Sequence, residues 1–151
     1  NPLSAEKNKY FCCFWCLSGP VSLVSCIPIR GYIPGQDINL TIEMENASNV
    51  VINCLICEFL KITTYYSNRH KNSKEEITII AKEVLEISEQ KYGIWPCKIT
   101  IPEDLTPSLL GKCKIIDVKY QLKIRAKPLQ ALREVENVLP IVVGTIKAKD
   151  G

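Results

Sequence analysis

The sequence has little of what enzyme active sites commonly contain. Its only histidine is His70, which lies in the polar segment SNRHKNSKEE. A Ser-His-Asp or Cys-His site needs a histidine held beside a nucleophile by an acidic group, whereas a histidine among charged turn residues is typical of a solvated loop tip. Glu103, Asp104 and Asp117 form no evident pair for acid–base chemistry. We therefore predict no catalytic residues and no enzymatic activity.

Long apolar runs and strongly charged segments are also absent. A membrane-spanning helix needs about 20 consecutive apolar residues, and the sequence has no such run. The net charge of +3 is too small to indicate nucleic acid, and no repeat of basic and aromatic residues suits base stacking. We expect neither a nucleic-acid partner nor a cofactor. Hydrophobic residues make up 46% of the 151 residues, enough for the core of one domain.

Cysteine, in contrast, is abundant, with eight residues. In a small secreted protein this number suggests disulfides, so an extracellular immunoglobulin-like adhesion domain stays an alternative. Apolar strands supply a core without crosslinks, and we therefore favour reduced, cytosolic thiols. Cys13/Cys16 and Cys54/Cys57 have the spacing of zinc ligands, but Cys54 and Cys57 lie in a strand-like segment, and residues three apart in a strand face opposite sides of a sheet. We predict no metal site.

Alternation of apolar and polar residues is the main structural signal. In GYIPGQDINLTIEMEN, a Pro-Gly turn precedes Ile38, Leu40, Ile42 and Met44, which alternate with polar side chains as in a strand with one buried face. Further strand-like segments are PVSLVSCIPI, VVINCLICEFLKITTYY, IWPCKITIP, CKIIDVKYQLKIRAK and VLPIVVGTI. Many short strands separated by turns predict an all-β sandwich.

Two segments have a helical pattern instead. In SKEEITIIAKEVLEISEQK the apolar residues follow helical spacing, and Ser73 with Glu76 has the form of a capping box. LQALREVENVL shows the same spacing more weakly. From local pattern alone, residues 74–88 are predicted to be a helix.

Several segments together resemble the C-terminal domain of the α-arrestins, the arrestin-domain-containing proteins. They are FCCFWCLSGPVSL, GYIPGQDINLTIEMENASNVV, IPEDLTPSLLGKCKIIDVKYQLKI and LPIVVGTI. They are similar, in order, to the family's Cys-rich aromatic start, Gly-Tyr-x-x-Gly turn, Asn-Ser pair, Pro-Ser loop and closing Leu-Pro-hydrophobic-Gly-Thr. The resemblance covers residues 10–146. The family usually has a double proline before the serine of the Pro-Ser loop, where this chain has Leu105-Thr106-Pro107-Ser108.

The resemblance implies an immunoglobulin-like β-sandwich that is normally the second of two such domains. It also implies a strand rather than a helix at residues 74–88. We expect residues 1–18 to be an interdomain linker or a strand leading into the domain, residues 19–147 to be the sandwich, and residues 148–151 to begin a C-terminal tail. The chain is then a fragment of a longer protein.

The resemblance further implies a cytoplasmic adaptor that is recruited to the plasma membrane and endosomes. Such proteins bind the cytosolic tails of membrane receptors or transporters and recruit HECT-type ubiquitin ligases through Pro-Pro-x-Tyr motifs, promoting endocytosis and sorting. Those motifs lie in a tail, and none occurs in these 151 residues. The alternative is a redox-linked arrestin that binds thioredoxin, but the cysteine expected near the Asn-Ser turn is replaced by Ala47-Ser48.

One basic row is a candidate partner-binding site. Alternating positions of the strand at 117–127 place Lys119, Lys123, Arg125 and Lys127 on its outward face. Closely spaced cations require nearby negative charge. The ordinary source is a neighbouring strand, with Glu43, Glu45 and Glu58 as candidates. The alternative source, which the resemblance favours, is an acidic or phosphorylated cargo tail.

A second candidate is the aromatic and cysteine cluster near the start of the chain. Cys12, Cys13 and Cys16 surround Trp15 beside basic residues, a composition that suits S-acylation and membrane contact. Exposed apolar clusters more often mark an interface. We therefore expect this segment to contact the preceding arrestin domain, with S-acylation as the alternative.

Overall fold

The computed structural model describes residues 3–13, 16–66, 73–88, 90–105, 116–129 and 134–144, and the side-chain surroundings from residue 21 onwards. Within these ranges the chain forms nine strands and no helix. The strands are β1 Leu3–Cys13, β2 Cys16–Ile27, β3 Gly31–Tyr32, β4 Asp37–Asn46, β5 Ile52–Tyr66, β6 Ser73–Glu86, β7 Tyr92–Thr100, β8 Ile116–Pro128 and β9 Val135–Val143. The predicted all-β class is confirmed.

The strands form two sheets that pack as a sandwich. The smaller sheet has the order β1-β2-β4-β7, and the larger has the order β3-β9-β8-β5-β6. Neighbouring strands are antiparallel except for the short β3, which runs parallel to β9. Within the described strands, β6 and β7 are edge strands of different sheets, and they approach each other along one side of the sandwich.

The core follows the alternation in the sequence. Ile38, Leu40, Ile42 and Met44 of β4 are buried, as predicted, because each second side chain of a strand points to the same face. In β8 the alternate residues Val118, Tyr120, Leu122 and Ile124 are also buried, and Ile116 packs on the core while half-buried. Phe59 and Tyr120 stack there with ring centroids 5.5 Å apart.

Residues 73–86 are a strand, so the helix predicted from local spacing is wrong and the strand implied by the resemblance is correct. A bulge explains the misleading helical spacing. The pairing of β6 with β5 shifts between Phe59 and Leu60, and Ile80 is left without a direct partner on β5. An extra residue in a strand changes the face of all later side chains, and the apolar positions then mimic helical periodicity. The helical pattern of LQALREVENVL is likewise overruled from Val135 onwards, where β9 begins.

Two turns predicted from sequence have specific contacts. Gly35 has a φ of 91°, the left-handed region that glycine tolerates best, and its N–H donates to the Ile101 carbonyl over 2.8 Å. After β4, the Asn46 carboxamide oxygen accepts hydrogen bonds from the Ser48 N–H and hydroxyl, at 2.9 and 2.5 Å. The Lys91 ammonium closes this turn by donating to the Ser48 carbonyl over 2.8 Å. The Asn-Ser pair therefore has a structural role in this chain.

Residues 3–13 form β1, which pairs with β2 from Leu3↔Ile27 to Cys13↔Cys16. The segment expected to be a linker or a strand leading into the domain therefore contains a strand of the smaller sheet and the start of β2. The proposed end of the domain, at residues 147 and 148, lies outside the described residues.

Candidate functional site

The candidate site is the outer face of the larger sheet, the side that points away from the smaller sheet. Here β8 lies between β5 and β9 and presents the four cations that the sequence analysis singled out. Lys119 and Lys127 are exposed, whereas Lys123 and Arg125 are partly buried. The row is therefore uneven: its two ends are open to a partner, and its middle is covered by neighbouring side chains.

Arg125 is the centre of an ion cluster on this face. Its Nη1 donates to the two carboxylate oxygens of Glu134 over 2.8 and 3.1 Å, and its Nη2 lies 3.4 Å from Glu58 Oε2. Burial tends to lower the pKa of Arg125, but the hydrogen bond and charge of Glu134, together with Glu58, outweigh it and raise that pKa. Arg125 therefore stays charged and holds two strands and the segment before β9 together.

The other cations have weaker partners. Lys123 Nζ lies 3.6 Å from Glu136 Oε1, and Lys119 Nζ lies 3.8 Å from Asp117 Oδ2. Asp117, which alternation places on the outward face, is nevertheless buried. The Lys123–Glu136 pair is partly exposed, and such pairs contribute about 0–1 kcal/mol, since water competes for both charges.

The negative charge beside the basic row comes from a neighbouring strand, as expected, but only one of the three predicted glutamates supplies it. Glu58 does pair with Arg125 across neighbouring strands. Glu43 and Glu45 do not lie on this face, because β4 belongs to the smaller sheet. Glu43 accepts a hydrogen bond from the Tyr92 hydroxyl instead, over 3.3 Å. Glu134 and Glu136 were not predicted as partners, since the sequence alone does not show that β9 lies beside β8.

A depression of about 370 Å³ lies between β6 and β9 on the same face. Its lining divides into an apolar group, Ile77, Ile79, Leu60 and Val138, and a polar group, Glu58, Gln121, Lys123 and Glu136. Ile77 is 60% exposed and Ile79 is 53% exposed. The combination of exposed aliphatic side chains with charges of both signs suits an extended peptide that has an apolar anchor.

The isoleucines of β6 are functional candidates that sequence reasoning missed. The helical interpretation of this segment did not place Ile77 and Ile79 on one face. In the structure they share one face of β6, where Ile77 is opposite Ile62 and Ile79 is opposite Leu60 on β5. The sequence does contain a signal for this arrangement, because polar and apolar residues alternate strictly through Glu76, Ile77, Thr78 and Ile79, as in a strand.

The cysteine pairs occupy different surroundings. As predicted, Cys54 and Cys57 face opposite sides of β5: Cys57 belongs to the core cluster, whereas Cys54 lies near Glu86 and Lys127 on the outer face. Burial raises the pKa of the Cys54 thiol. The described residues contain no group of three or more potential metal ligands. Cys26, Cys54, Cys57 and Cys97 are free thiols.

The cluster near the start of the chain is only partly described. Cys12 and Cys13 lie near the end of β1 and Cys16 begins β2, with Cys12 opposite Leu17 and Cys13 opposite Cys16. Trp15 lies outside the described residues, as does His70. The expected interdomain contact and the alternative S-acylation both stay predictions. In the part of the chain that the structure describes, no helix has the length and apolar character needed to cross a bilayer.

Comparisons with known proteins identify one family. The sequence profile described as the C-terminal domain of arrestin (or S-antigen) matches residues 17–148. Arrestin domain-containing protein 4 of Homo sapiens is 29% identical over 145 residues, which are 96% of this chain and 34% of that protein. Thioredoxin-interacting protein of Mus musculus is 25% identical over 144 residues, 95% of this chain and 35% of that protein. The chain thus spans about a third of the length of these relatives.

A solved structure gives the same architecture. Spo0M, a sporulation control protein of Bacillus subtilis, aligns with a TM-score of 0.60 over 82% of this chain and 49% of its own, at 14% sequence identity. At this identity the match supports the fold alone.

Proposed function

Because the chain belongs to the arrestin C-terminal domain family, we propose that it is the non-catalytic adaptor domain of an α-arrestin, which binds membrane-protein cargo. The observation that carries the proposal is the family match over residues 17–148, which includes strands of both sheets. The longer protein would also contain the N-terminal arrestin domain and a tail that recruits HECT-type ubiquitin ligases. It would act in the cytoplasm and be recruited to the plasma membrane and endosomes, where it promotes endocytosis and protein sorting.

We place cargo binding on the outer face of the larger sheet. Lys119 and Lys127 are the exposed cations at the two ends of β8, and neither is held in the ion cluster around Arg125. The exposed isoleucines Ile77 and Ile79 supply apolar contact on the same face. Such a face suits a cytosolic receptor tail with acidic or phosphorylated residues around an apolar residue, since ammonium groups pair strongly with phosphate.

The binding face is tested with a labelled acidic peptide that carries phosphoserines around a leucine, and with the same peptide unphosphorylated. Binding is measured by fluorescence anisotropy. We expect the double variant Lys119→Glu/Lys127→Glu to bind the phosphorylated peptide at least tenfold more weakly. Lys123→Glu should weaken it less, because Lys123 is already near Glu136. Charge reversal at Arg125 should also weaken binding, but it must be compared at equal folded fraction since Arg125 is part of the ion cluster.

Lys98→Glu is the matched control. Lys98 is an exposed lysine of β7 in the smaller sheet, with Asp37 at 3.8 Å. It undergoes the same charge change away from the proposed face and should leave binding unchanged. Equal binding by the double variant and the wild type, or equal weakening by Lys98→Glu, would reject this face as the cargo site.

The adaptor role itself is tested in the full-length protein. The double charge reversal is introduced there, and the surface level and ubiquitination of a panel of transporters are measured by surface biotinylation. We expect loss of downregulation for those transporters that the wild type removes. Removal of the full-length protein without any effect on surface levels would contradict the adaptor role, whichever face binds cargo.

A redox-linked regulator is the second candidate, because one relative is a thioredoxin-interacting protein. The position near the Asn-Ser turn where a reactive cysteine is expected holds Ala47-Ser48. Pull-down with a thioredoxin variant that traps mixed disulfides discriminates the two. Covalent capture of the wild-type chain would favour the regulator, and its absence would favour the adaptor.

A further inference from the structure

The edge of β6 is a part of the larger sheet that the basic row on β8 does not include. Among the described strands, β6 is hydrogen-bonded to β5 on one side and to no strand on the other. An unpaired strand edge presents a row of backbone N–H and C=O groups that can pair with another chain. Every residue from Ser73 to Ile79 is exposed, and this stretch of seven residues is longer than the mean strand of about 5–6 residues.

Two other described edges carry features that hinder pairing with a further strand. β3 has only two residues, and β7 contains Pro96, which has no backbone N–H to donate. The second half of β6 is protected as well, by the bulge at Ile80 and by Glu83, a charged residue on the core side of the strand opposite Cys57. Bulges, prolines and inward charges are the usual means of blocking an edge, and Ser73–Ile79 has none of them.

The side chains of this edge are apolar towards one end and acidic towards the other. Ile77 and Ile79 are exposed on the outer face of the larger sheet. Glu75 shares that face and Glu76 lies on the opposite one, since side chains alternate along a strand. A strand that pairs with this edge places its own side chains directly beside these, where apolar pairs and opposite charges stabilise and like charges destabilise. The edge therefore favours a partner with alternate apolar residues and adjoining cations.

Charge also argues against a second copy of β6 as that partner. The strand contains two lysines and four glutamates, a net charge of −2, in a chain whose net charge is +3. Two β6 strands side by side would bring these negative charges together, whereas a cationic segment would neutralise them. Segments rich in lysine and arginine are typical of the cytoplasmic side of membrane-spanning proteins. Such a segment matches both the charge of the edge and the class of cargo proposed above.

We propose that Ser73–Ile79 binds an extended basic segment of a membrane-protein partner, which adds to the larger sheet as a strand beside β6. The identity of the partner rests on the adaptor role proposed above, but the site is separate from the cations of β8. Backbone hydrogen bonds to β6 supply affinity and side chains supply specificity. Apolar residues of the segment contact Ile77 and Ile79, and its lysine or arginine residues pair with Glu75 and Glu76.

A labelled peptide tests whether the partner binds as a strand. The probe contains Val-Thr-Val-Lys-Arg between flanking glycines, and its binding to the folded 151-residue chain is followed by fluorescence anisotropy. Two further probes carry N-methyl groups on one or the other alternate set of backbone amides, which removes donors without changing charge. We expect at least one of these two to bind at least tenfold more weakly, because one set of amides must face β6. Equal binding by all three probes, or no binding of the unmodified probe, would overturn the proposal.

Charge reversal on the edge tests the basic character of the partner. Glu75→Lys/Glu76→Lys should weaken binding of the unmodified probe at least fivefold, because opposite charges become like charges. Glu103→Lys/Asp104→Lys is the matched control, since these residues are also adjacent, acidic and exposed but lie in the turn after β7. The control should bind as the wild type does. Equal weakening by the two double variants would show attraction to the whole protein rather than to this edge, and would reject the site.

Hydrogen–deuterium exchange locates the bound segment in the wild-type chain. Amides of Ser73–Ile79 that do not donate to β5 should exchange more slowly with the probe present, whereas the amides of β7, Tyr92–Thr100, should be unaffected. Unchanged exchange in Ser73–Ile79 at saturating probe would contradict the proposal. Sedimentation of the chain without the probe gives its oligomeric state. A dimer in which Ser73–Ile79 is already protected would assign the edge to a second copy, and would also overturn the proposal.

The phosphorylated acidic peptide used for the β8 face separates this proposal from the proposed cargo face. Glu75→Lys/Glu76→Lys should not weaken binding of that peptide, because the substitutions add positive charge to the same sheet. If the basic probe fails to bind while the phosphorylated peptide still binds, the edge site is rejected and the β8 face stands. If only the basic probe binds, the edge site stands and the β8 face is rejected.

Discussion

The guanidinium of Arg125 on β8 lies 3.4 Å from the carboxylate of Glu58 on β5, and both side chains are mostly buried although they point away from the core. An outward sheet face is usually solvated, so burial of opposite charges there shows that neighbouring side chains cover it. Removing one partner of such a pair is costly because the other charge stays buried without compensation. The ion cluster is therefore expected to stabilise the larger sheet.

Replacement of Arg125 by methionine tests this role. The variant leaves Glu58 without its cation and removes the donor to Glu134, so we expect the free energy of unfolding to fall by about 1–3 kcal/mol. Urea unfolding followed by circular dichroism gives the change.

Lys127→Met is the control for that experiment, because Lys127 is on the same strand face but exposed, and it is not part of the ion cluster around Arg125. Its loss should cost no more than about 0.5 kcal/mol. Equal destabilisation by the two substitutions would contradict a special role for the Arg125 cluster.

Asn137 is a buried polar residue that joins the two sheets. From β9 its carboxamide nitrogen donates to the Leu23 carbonyl over 2.9 Å and lies 3.1 Å from the Ser25 hydroxyl, both on β2 of the other sheet. Asn137→Ala removes these contacts and leaves buried groups of β2 without that donor, which should cost about 1–3 kcal/mol in urea unfolding.

Asn39→Ala is the matched control, since Asn39 is an exposed asparagine of β4. Its effect should stay within about 0.5 kcal/mol. If Asn137→Ala were as mild as Asn39→Ala, the hydrogen bonds between the sheets would contribute nothing measurable.

The sequence predicts the strands well where alternation is uninterrupted. In β4 each apolar side chain from Ile38 to Met44 follows the two-residue period, because one face is buried and the other is solvated. In β6 the bulge at Ile80 breaks the period, and local spacing then favours a helix. Pairing with β5 decides the outcome, and it depends on residues distant in sequence, so the local pattern could not reveal it.

The candidate site is predictable only in part, for a similar reason. Alternation along one strand places Lys119, Lys123 and Arg125 on one face, as observed. Which of these cations is neutralised depends on the strands beside β8. Glu134 and Glu136 reach it because β9 pairs antiparallel with β8, a long-range relationship that single-strand periodicity does not contain.

Tyr120 gives a prediction for alkaline pH. Burial raises its pKa from 10.0 to about 12, because the phenolate would be poorly solvated in the core. Below pH 10 the phenol is neutral in both the folded and the unfolded chain and contributes no pH dependence. Between pH 10 and 12 the unfolded chain loses this proton first, so stability falls as pH rises, by about 1–3 kcal/mol in total.

Comparison with Tyr120→Phe isolates this effect. Phenylalanine keeps the stacked arrangement on Phe59, whose ring centroid is 5.5 Å away, and it has no proton to lose. Lysines and the other tyrosines titrate in both proteins, so their contributions cancel in the difference. The free energy of unfolding is measured by urea titration at about pH 8, 10, 11 and 12, values that extend from below the ordinary tyrosine pKa to the raised pKa of Tyr120. We expect the wild type to lose stability relative to the variant as pH rises, and parallel losses in the two proteins would show that Tyr120 ionises as readily in the folded chain as in the unfolded one.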